Sequence, residues 1–261
     1  MFSMPYGLDL KRIQCNHLPN PYRTEESMKI VSYIEIYTLS LLFLFSITGP
    51  VFGWHDKTHM AISQAAGYEN WYNSAAADVT KTKAGNKEAT NHWFNNNYDC
   101  NVTESMVLDQ TKRYNDPRDK EGHLYGAIIA SLRDYRKAKE TGKYAEYHMA
   151  FCTHYIGDLS MPLHNAPYDA FNKEHHSEYD GIIEHNVMNN ISPIQRDMYE
   201  IKIQSEIDIA REIARIANIS RQLALRIKKE NRYLTQEEAY GQISHSSSLL
   251  RAVLTYAKGT K

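Results

Sequence analysis

The chain has 261 residues, 42% hydrophobic and 23% charged, with a formal net charge of -1. That balance suits a globular core, excludes a wholly disordered chain, and gives no bulk electrostatic attraction to nucleic acid or anionic membrane. Three Cys exclude a disulfide scaffold, and 12 Gly with 8 Pro exclude collagen-like or proline-rich sequence, so the distinctive count is 12 His.

The first element in chain order is a leader. Ile36 to Gly53 is an uncharged run of 18 residues. Such a run is just long enough to span a membrane. It reads as a secretory signal peptide whose cleavage follows Val51-Phe52-Gly53. Residues 1–27 are polar and long for a preceding segment, so Met28 is a second candidate start. Cleavage leaves residues 54–261, exposes Trp54 as a new N-terminus and sends the product outside the cell or to the periplasm. Without cleavage the leader is a membrane anchor. Residues 54–261 number 208 and keep 11 of the 12 His.

The rest of the chain reads as all-α, a single multi-helix domain. Thr58 to Ala66 is a short helix closed by Gly67, and Asn70 to Lys81 is another. Lys81 to Asn115, rich in Asn, Thr and Lys, is expected to be loop around one helical turn. Glu121 to Glu140 has Leu124, Ala127, Ile128, Leu132 and Tyr135 on one face and stops near Gly142. Tyr144 to Leu159 is nearly apolar all round and is expected to be the central buried helix, ended or bent by Pro162. Asn165 to Lys173 is expected as a loop and His175 to Val187 as a helix. Pro193 to Lys229 reads as one long helix with Ile209, Ile213, Ile216, Leu223 and Ile227 on one stripe. Thr235 with Glu238 forms a capping box for the last helix, which carries Ala239, Ile243, Leu250 and Leu254. Cys100 and Cys152 are able to bridge in an oxidising compartment, although spacing does not decide it.

Polar residues in the apolar segments carry the chemistry. His154 and Asp158 stand four apart, on one face of the expected central helix. His164 follows past Pro162, and His176 with Asp180 repeats the four-residue spacing. Imidazole and carboxylate suit zinc, and an apolar helix gains nothing from several ionisable groups unless something compensates them.

The run His154 to His164 (HYIGDLSMPLH) followed by His176 to Asp180 (HSEYD) resembles the zinc-dependent phospholipase C / S1–P1 nuclease superfamily. That family has H-x3-D-x5-H and then H-x3-D/E. It also uses the amino nitrogen and carbonyl oxygen of a mature N-terminal Trp and a His shortly after, positions filled by Trp54 and His59. Asp78 and His92, 14 residues apart, fill the remaining pair. The resemblance implies an all-α fold around three zinc ions. Asp78, His92, His154 and Asp158 would hold the first, His164, His176 and Asp180 the second, and Trp54, His59 and the bridging Asp158 the third. It implies hydrolysis of a phosphoric ester by metal-activated hydroxide, assisted by Asp78 as a catalytic residue.

The branches of the family differ in substrate. Lys81 stands where the nuclease branch has an Arg, and Trp93 where it has a base-stacking aromatic. Where the phospholipase branch cradles choline with a Glu, a Tyr and a Phe, this chain has Lys57, Val79 and Ala89, a departure that counts against choline-lipid specificity. HYIGD, HSEYD and the Asp78–His92 spacing look phospholipase-like. A phospholipase C-like phosphodiesterase is therefore the first expectation. A single-strand-specific nuclease is the alternative, and a non-catalytic zinc-binding protein a further one. The partners implied are a phospholipid, another phosphate ester or single-stranded nucleic acid; no protein partner is implied.

Overall fold

Apolar residues three and four apart fold into helices, and among the described residues there is no strand. A computed structural model describes residues 54–84, 86–97 and 99–259. The leader, its cleavage after Gly53 and the alternative start at Met28 lie outside them. No helix among the described residues is long and apolar enough to cross a membrane.

The chain runs through α1 (Asp56–Ala65), a 3-10 turn (Trp71–Ala75), α2 (Ala76–Ala84), α3 (Asn86–Ala89) and α4 (Glu104–Gln110). It continues through α5 (Leu124–Glu140), α6 (Glu146–Leu159), a 3-10 turn (Pro162–Asn165) and α7 (Ala170–Gly181). It ends with α8 (Ile191–Asp197), α9 (Glu206–Glu230) and α10 (Gln236–Gly259). Helix α6 is the centre. Its partners are α5, joined to it by a short loop, and α1, α2, α9 and α10. Met149, Cys152, Tyr155, Ile156 and Leu159 are all buried, on different sides of the helix. Burying each large apolar side chain stabilises the fold by roughly 1.5–3 kcal/mol, so a helix apolar all round belongs in the middle. The stripes expected on α5, α9 and α10 are the buried faces of those helices.

Several boundaries differ from the sequence expectation: the helix expected from Asn70 to Lys81 opens as a 3-10 turn and runs to Ala84, and the one expected from His175 to Val187 ends at Gly181. The stretch 81–115 holds α3 and α4, the latter started by Thr103, whose hydroxyl accepts from the Met106 amide at 3.3 Å. The expected loop 165–173 ends early because the Asp169 side chain caps α7, accepting from the Asn172 amide at 3.1 Å. The long helix expected from Pro193 is two helices. Ser205 and Asp208 form a reciprocal capping box that starts α9 afresh. Ile201 and Ile203 before it obscured the break, because apolar residues there read as a continuation. The capping box of α10 is present as expected, with the Glu238 amide donating to Thr235 Oγ1 at 3.1 Å and the Thr235 amide to Glu238 Oε2 at 3.1 Å.

One carboxylate ties the start of the described chain to the turn after α7. Glu184 accepts from the Lys57 and Thr58 amides, both at 3.0 Å, and from the Thr58 hydroxyl at 3.1 Å. The two amides belong to the first turn of α1, where the Lys57 N–H lacks an intrahelical partner and the Thr58 N–H is shared with the His55 carbonyl at 2.9 Å, and a negative charge there is favourable. Glu184→Ala is expected to cost about 1–2 kcal/mol, the value of a lost cap. Thermal unfolding checks this; an unchanged midpoint would show that the clamp contributes nothing.

Candidate metal centre

Buried ionisable side chains cost free energy unless something compensates them, and this fold brings eight buried His and Asp side chains together in one region. They are His59, Asp78, His92, His154, Asp158, His164, His176 and Asp180. His59 comes from α1, Asp78 from the first turn of α2, and His92 from the segment after α3. His154 and Asp158 come from α6, His164 from the following 3-10 turn, and His176 and Asp180 from α7. Every side-chain ligand expected from the sequence is among them.

Asp158 stands between four imidazoles. Its Oδ2 is 2.9 Å from His92 Nδ1 and 3.3 Å from His154 Nε2. Its Oδ1 is 3.4 Å from His59 Nε2 and 3.6 Å from His164 Nδ1. Asp78 Oδ1 lies 3.7 Å from both His92 Nδ1 and His154 Nε2. The ligand atoms fall into three groups, each of which could hold a metal ion. These are His59, His154 and Asp158; Asp78, His92 and His154; and His164, His176 and Asp180. Where the sequence expectation shares Asp158 between two ions, these side-chain distances also bring His154 into two groups. Trp54 is fully buried, with its indole Nε1 donating to Ser160 Oγ at 3.2 Å. The part expected of its main chain depends on a cleavage outside the described residues.

Outer contacts orient the rings. His154 Nδ1 lies 2.7 Å from the Ser74 carbonyl, and His176 Nδ1 2.6 Å from Asn172 Oδ1. Both partners only accept, so both Nδ1 atoms carry a proton and both Nε2 atoms face inward. His164 Nε2 is 3.1 Å from His176 Nε2, and His154 Nε2 is 3.1 Å from His92 Nδ1. His59 has no hydrogen bond at either nitrogen, and Asp78 Oδ2, Asp158 Oδ1 and His164 Nδ1 also have none. Buried lone pairs without donors, converging from several elements, are what a cation would satisfy.

Electrostatics agree with the geometry. Burial pushes His164 down to about 4. Burial and the neighbouring His164 hold His176 well below its ordinary value, and burial with His154 lowers His59. Neutral imidazoles are the form that binds metal. For His154, burial would lower the pKa, but Asp158 and Asp78 outweigh it and push it up to about 9. For Asp158, burial would raise the pKa, but His154 and His164 outweigh it and hold the carboxyl well below the usual range. Positive charge is wanted at this place.

Both residues expected to meet substrate lie by the cluster. Lys81 Nζ is 2.6 Å from Asp78 Oδ1. Trp93 is half-buried and lines a cleft of about 350 Å³ that also reaches Leu163, Ala166, Tyr168 and His176. Gly122 makes room for Trp93: its φ is +72°, and a Cβ there would lie 2.1 Å from the Trp93 carbonyl oxygen. A larger cavity of about 690 Å³, beside residues 200–204 and α10, contains none of the cluster.

Sequence reasoning missed Ser74 and Asn172 as orienting groups, and missed Gly157. A Cβ on Gly157 would lie 2.4 Å from His59 Nδ1. The glycine was visible inside an apolar helix, but its neighbour was not. Among the other His, His123 is fully buried between Asp119 and Asn91. Glu184 caps α1 and does not touch a ligand candidate among its hydrogen bonds. Cys100 and Cys152 are free thiols. Of the three Asn-X-Ser/Thr sequences, Asn218 is engaged at both ends of its amide by the Val102 main chain, Asn190 donates to the Asn186 carbonyl, and Asn101 is exposed with its Oδ1 accepting from Arg221.

The chain matches no family model, and no curated protein matches it. The likeness to the zinc-dependent superfamily therefore rests on the ligand pattern alone.

Proposed function

We propose that the chain is a secreted zinc-dependent phosphoric-ester hydrolase, a phospholipase C-like phosphodiesterase. The observation that carries the reading is the convergence of five buried His and three buried Asp, with several lone pairs unbonded. Asp78, His92, His154 and Asp158 would hold one ion, and His164, His176 and Asp180 a second. His59, Asp158 and the main chain of Trp54 would hold a third. The donor set of imidazoles and carboxylates suits zinc and, without thiolates, suits a catalytic rather than a structural site. Zinc bound there supplies positive charge to phosphate oxygens and acidifies water.

The remaining work falls to the chain. Asp78 has one oxygen free of hydrogen bonds, Oδ2, and accepts a proton from the attacking water. The ammonium of Lys81 faces the non-bridging oxygens of the phosphate. The apolar walls of the Trp93 cleft hold the organic part of the ester and exclude water beside His176. The same cleft supports a second reading. Trp93 is a stacking surface for a base of single-stranded nucleic acid, worth roughly 1–3 kcal/mol per base.

The test is a paired assay on zinc-loaded protein whose N-terminus has been sequenced. Release of p-nitrophenol from p-nitrophenyl phosphorylcholine is expected. Release of mononucleotides from single-stranded DNA instead would favour the second reading. Asp78→Asn should lower the rate by about 10²-fold or more, the lower range for a lost general base. Activity on neither substrate with zinc fully bound would leave a non-catalytic zinc-binding protein. An N-terminus other than Trp54 would remove the third site.

A further inference from the structure

Asn172 lies on α7 one turn before His176 and is only 2% exposed. A side-chain amide buried to that degree needs partners at both ends. Its Oδ1 faces His176 Nδ1 at 2.6 Å. Its Nδ2 donates to the Leu163 carbonyl at 2.9 Å and to the Pro167 carbonyl at 3.2 Å. Both hydrogens of Nδ2 are thereby used, and both carbonyls only accept, so the amide cannot be turned round. The two carbonyls flank residues 164–166, the segment that begins with His164. His164 and His176 stand twelve residues apart in the chain, yet their Nε2 atoms meet at 3.1 Å and their rings stack with centroids 5.0 Å apart. They form one group with Asp180. The Phe94 amide, which donates to the His164 carbonyl at 2.9 Å, ties the turn to a different segment. Asn172 instead joins the two chain segments that supply the imidazoles of this group.

We propose that Asn172 is a positioning residue for both imidazoles of the second ion. One end of its amide orients the His176 ring, and the other end holds the turn that carries His164. The separation of the two rings is therefore set by a single side chain. A metal site binds best when its ligand atoms already stand at the required separation, and outer hydrogen bonds keep them there. The Ser74 carbonyl, by contrast, is one acceptor on the one ring of His154. The bracket is a property of the metal-free chain; only its effect on affinity rests on the zinc reading above.

Three measurements on the whole purified protein test this. In the metal-free, ¹⁵N-labelled protein, both Nδ2 hydrogens of Asn172 should exchange with solvent far more slowly than those of the exposed Asn95. Asn172→Ala removes both contacts, so the ring resonances of His164 and His176 should both shift, with those of His123, outside the cluster, in place. Asn172→Asp keeps an acceptor for His176 but sets a charge against the two carbonyls. There the His176 proton should stay on Nδ1 while the His164 resonances still move. In competition with a zinc chelator, Asn172→Ala should bind one zinc about 10–100-fold more weakly, the usual loss for an outer partner. His164 resonances unmoved in both variants would show that the amide holds His176 alone, and they overturn the proposal. Unaltered affinity for every zinc in Asn172→Ala also overturns it. So does an Asn172 amide that exchanges as fast as that of Asn95, a result that needs no variant to fold. If the unaltered protein binds no zinc, the hydrolase reading falls, and the response of His164 alone decides the role of Asn172.

Discussion

On the proposed reading, Asp158→Asn is expected to reduce bound zinc from the three proposed ions toward one and to lower phosphodiester hydrolysis by about 10³-fold or more, beyond the loss of a single electrostatic contact. The reason is position. His59, His92, His154 and His164 all approach this one carboxylate within 3.6 Å. Asp158 is a member of the group with His59 and His154, and in the proposed assignment it also completes the ion held by Asp78, His92 and His154, so only the ion of His164, His176 and Asp180 is left with all its proposed ligands. Metal content by mass spectrometry and the paired assay read the result; full zinc and full rate in the variant would refute the central role of Asp158. The metal-free protein offers a second reading. His154 is raised to about 9 by Asp158 and Asp78, against about 6.5 for an unfolded His. A raised pKa means that protonation stabilises the fold. That contribution is complete below about 6.5 and is lost as pH rises toward 9. Asp158→Asn should flatten this alkaline loss in the metal-free protein, as seen in denaturant midpoints measured across that window. An unchanged slope would assign the loss to another group.

Gly157→Ala is expected to destabilise the protein and to empty the site built on His59, although alanine is the better helix former by about 1 kcal/mol. The new Cβ would meet His59 Nδ1 at 2.4 Å and Cε1 at 2.8 Å. The ring has little freedom to move, because it is almost fully buried and stacks on His154 with centroids 3.7 Å apart. Overpacking of this kind costs roughly 1–3 kcal/mol. The sign is the informative part. An exposed helical glycine would gain stability from the change, whereas this one should lose it together with one zinc. A raised melting temperature with zinc content intact would show that the His59 ring gives way freely.

Much of this was legible in the chain. Helical periodicity marked the buried faces of α5, α9 and α10, and continuous apolarity marked α6 as the centre. The four-residue spacings of His154 with Asp158 and of His176 with Asp180 put each pair on one helix face, and both pairs lie at the cluster. The misread boundaries have a common cause. Asp169 and Thr103 start helices through one side-chain hydrogen bond to an amide and Ser205 through a capping box with Asp208, signals weaker than the apolar pattern around them. Asp169 matters to the site, because the helix it starts brings Asn172 one turn before His176.

By itself the sequence determined the helical class, the central helix and the eight side chains with metal-ligating chemistry, since periodicity and residue type are local properties. Only the tertiary structure decided which nitrogen of each ring faces inward, which outer groups hold it there, and that Asp158 stands among four imidazoles. It also decided that Gly157 makes room for His59 and that Trp93 and His176 share one cleft. These contacts join residues up to about a hundred positions apart, between Gly157 and His59 or between Ser74 and His154. A ring's orientation is fixed by whichever donor or acceptor the packing brings beside it, and no spacing along the chain encodes that neighbour.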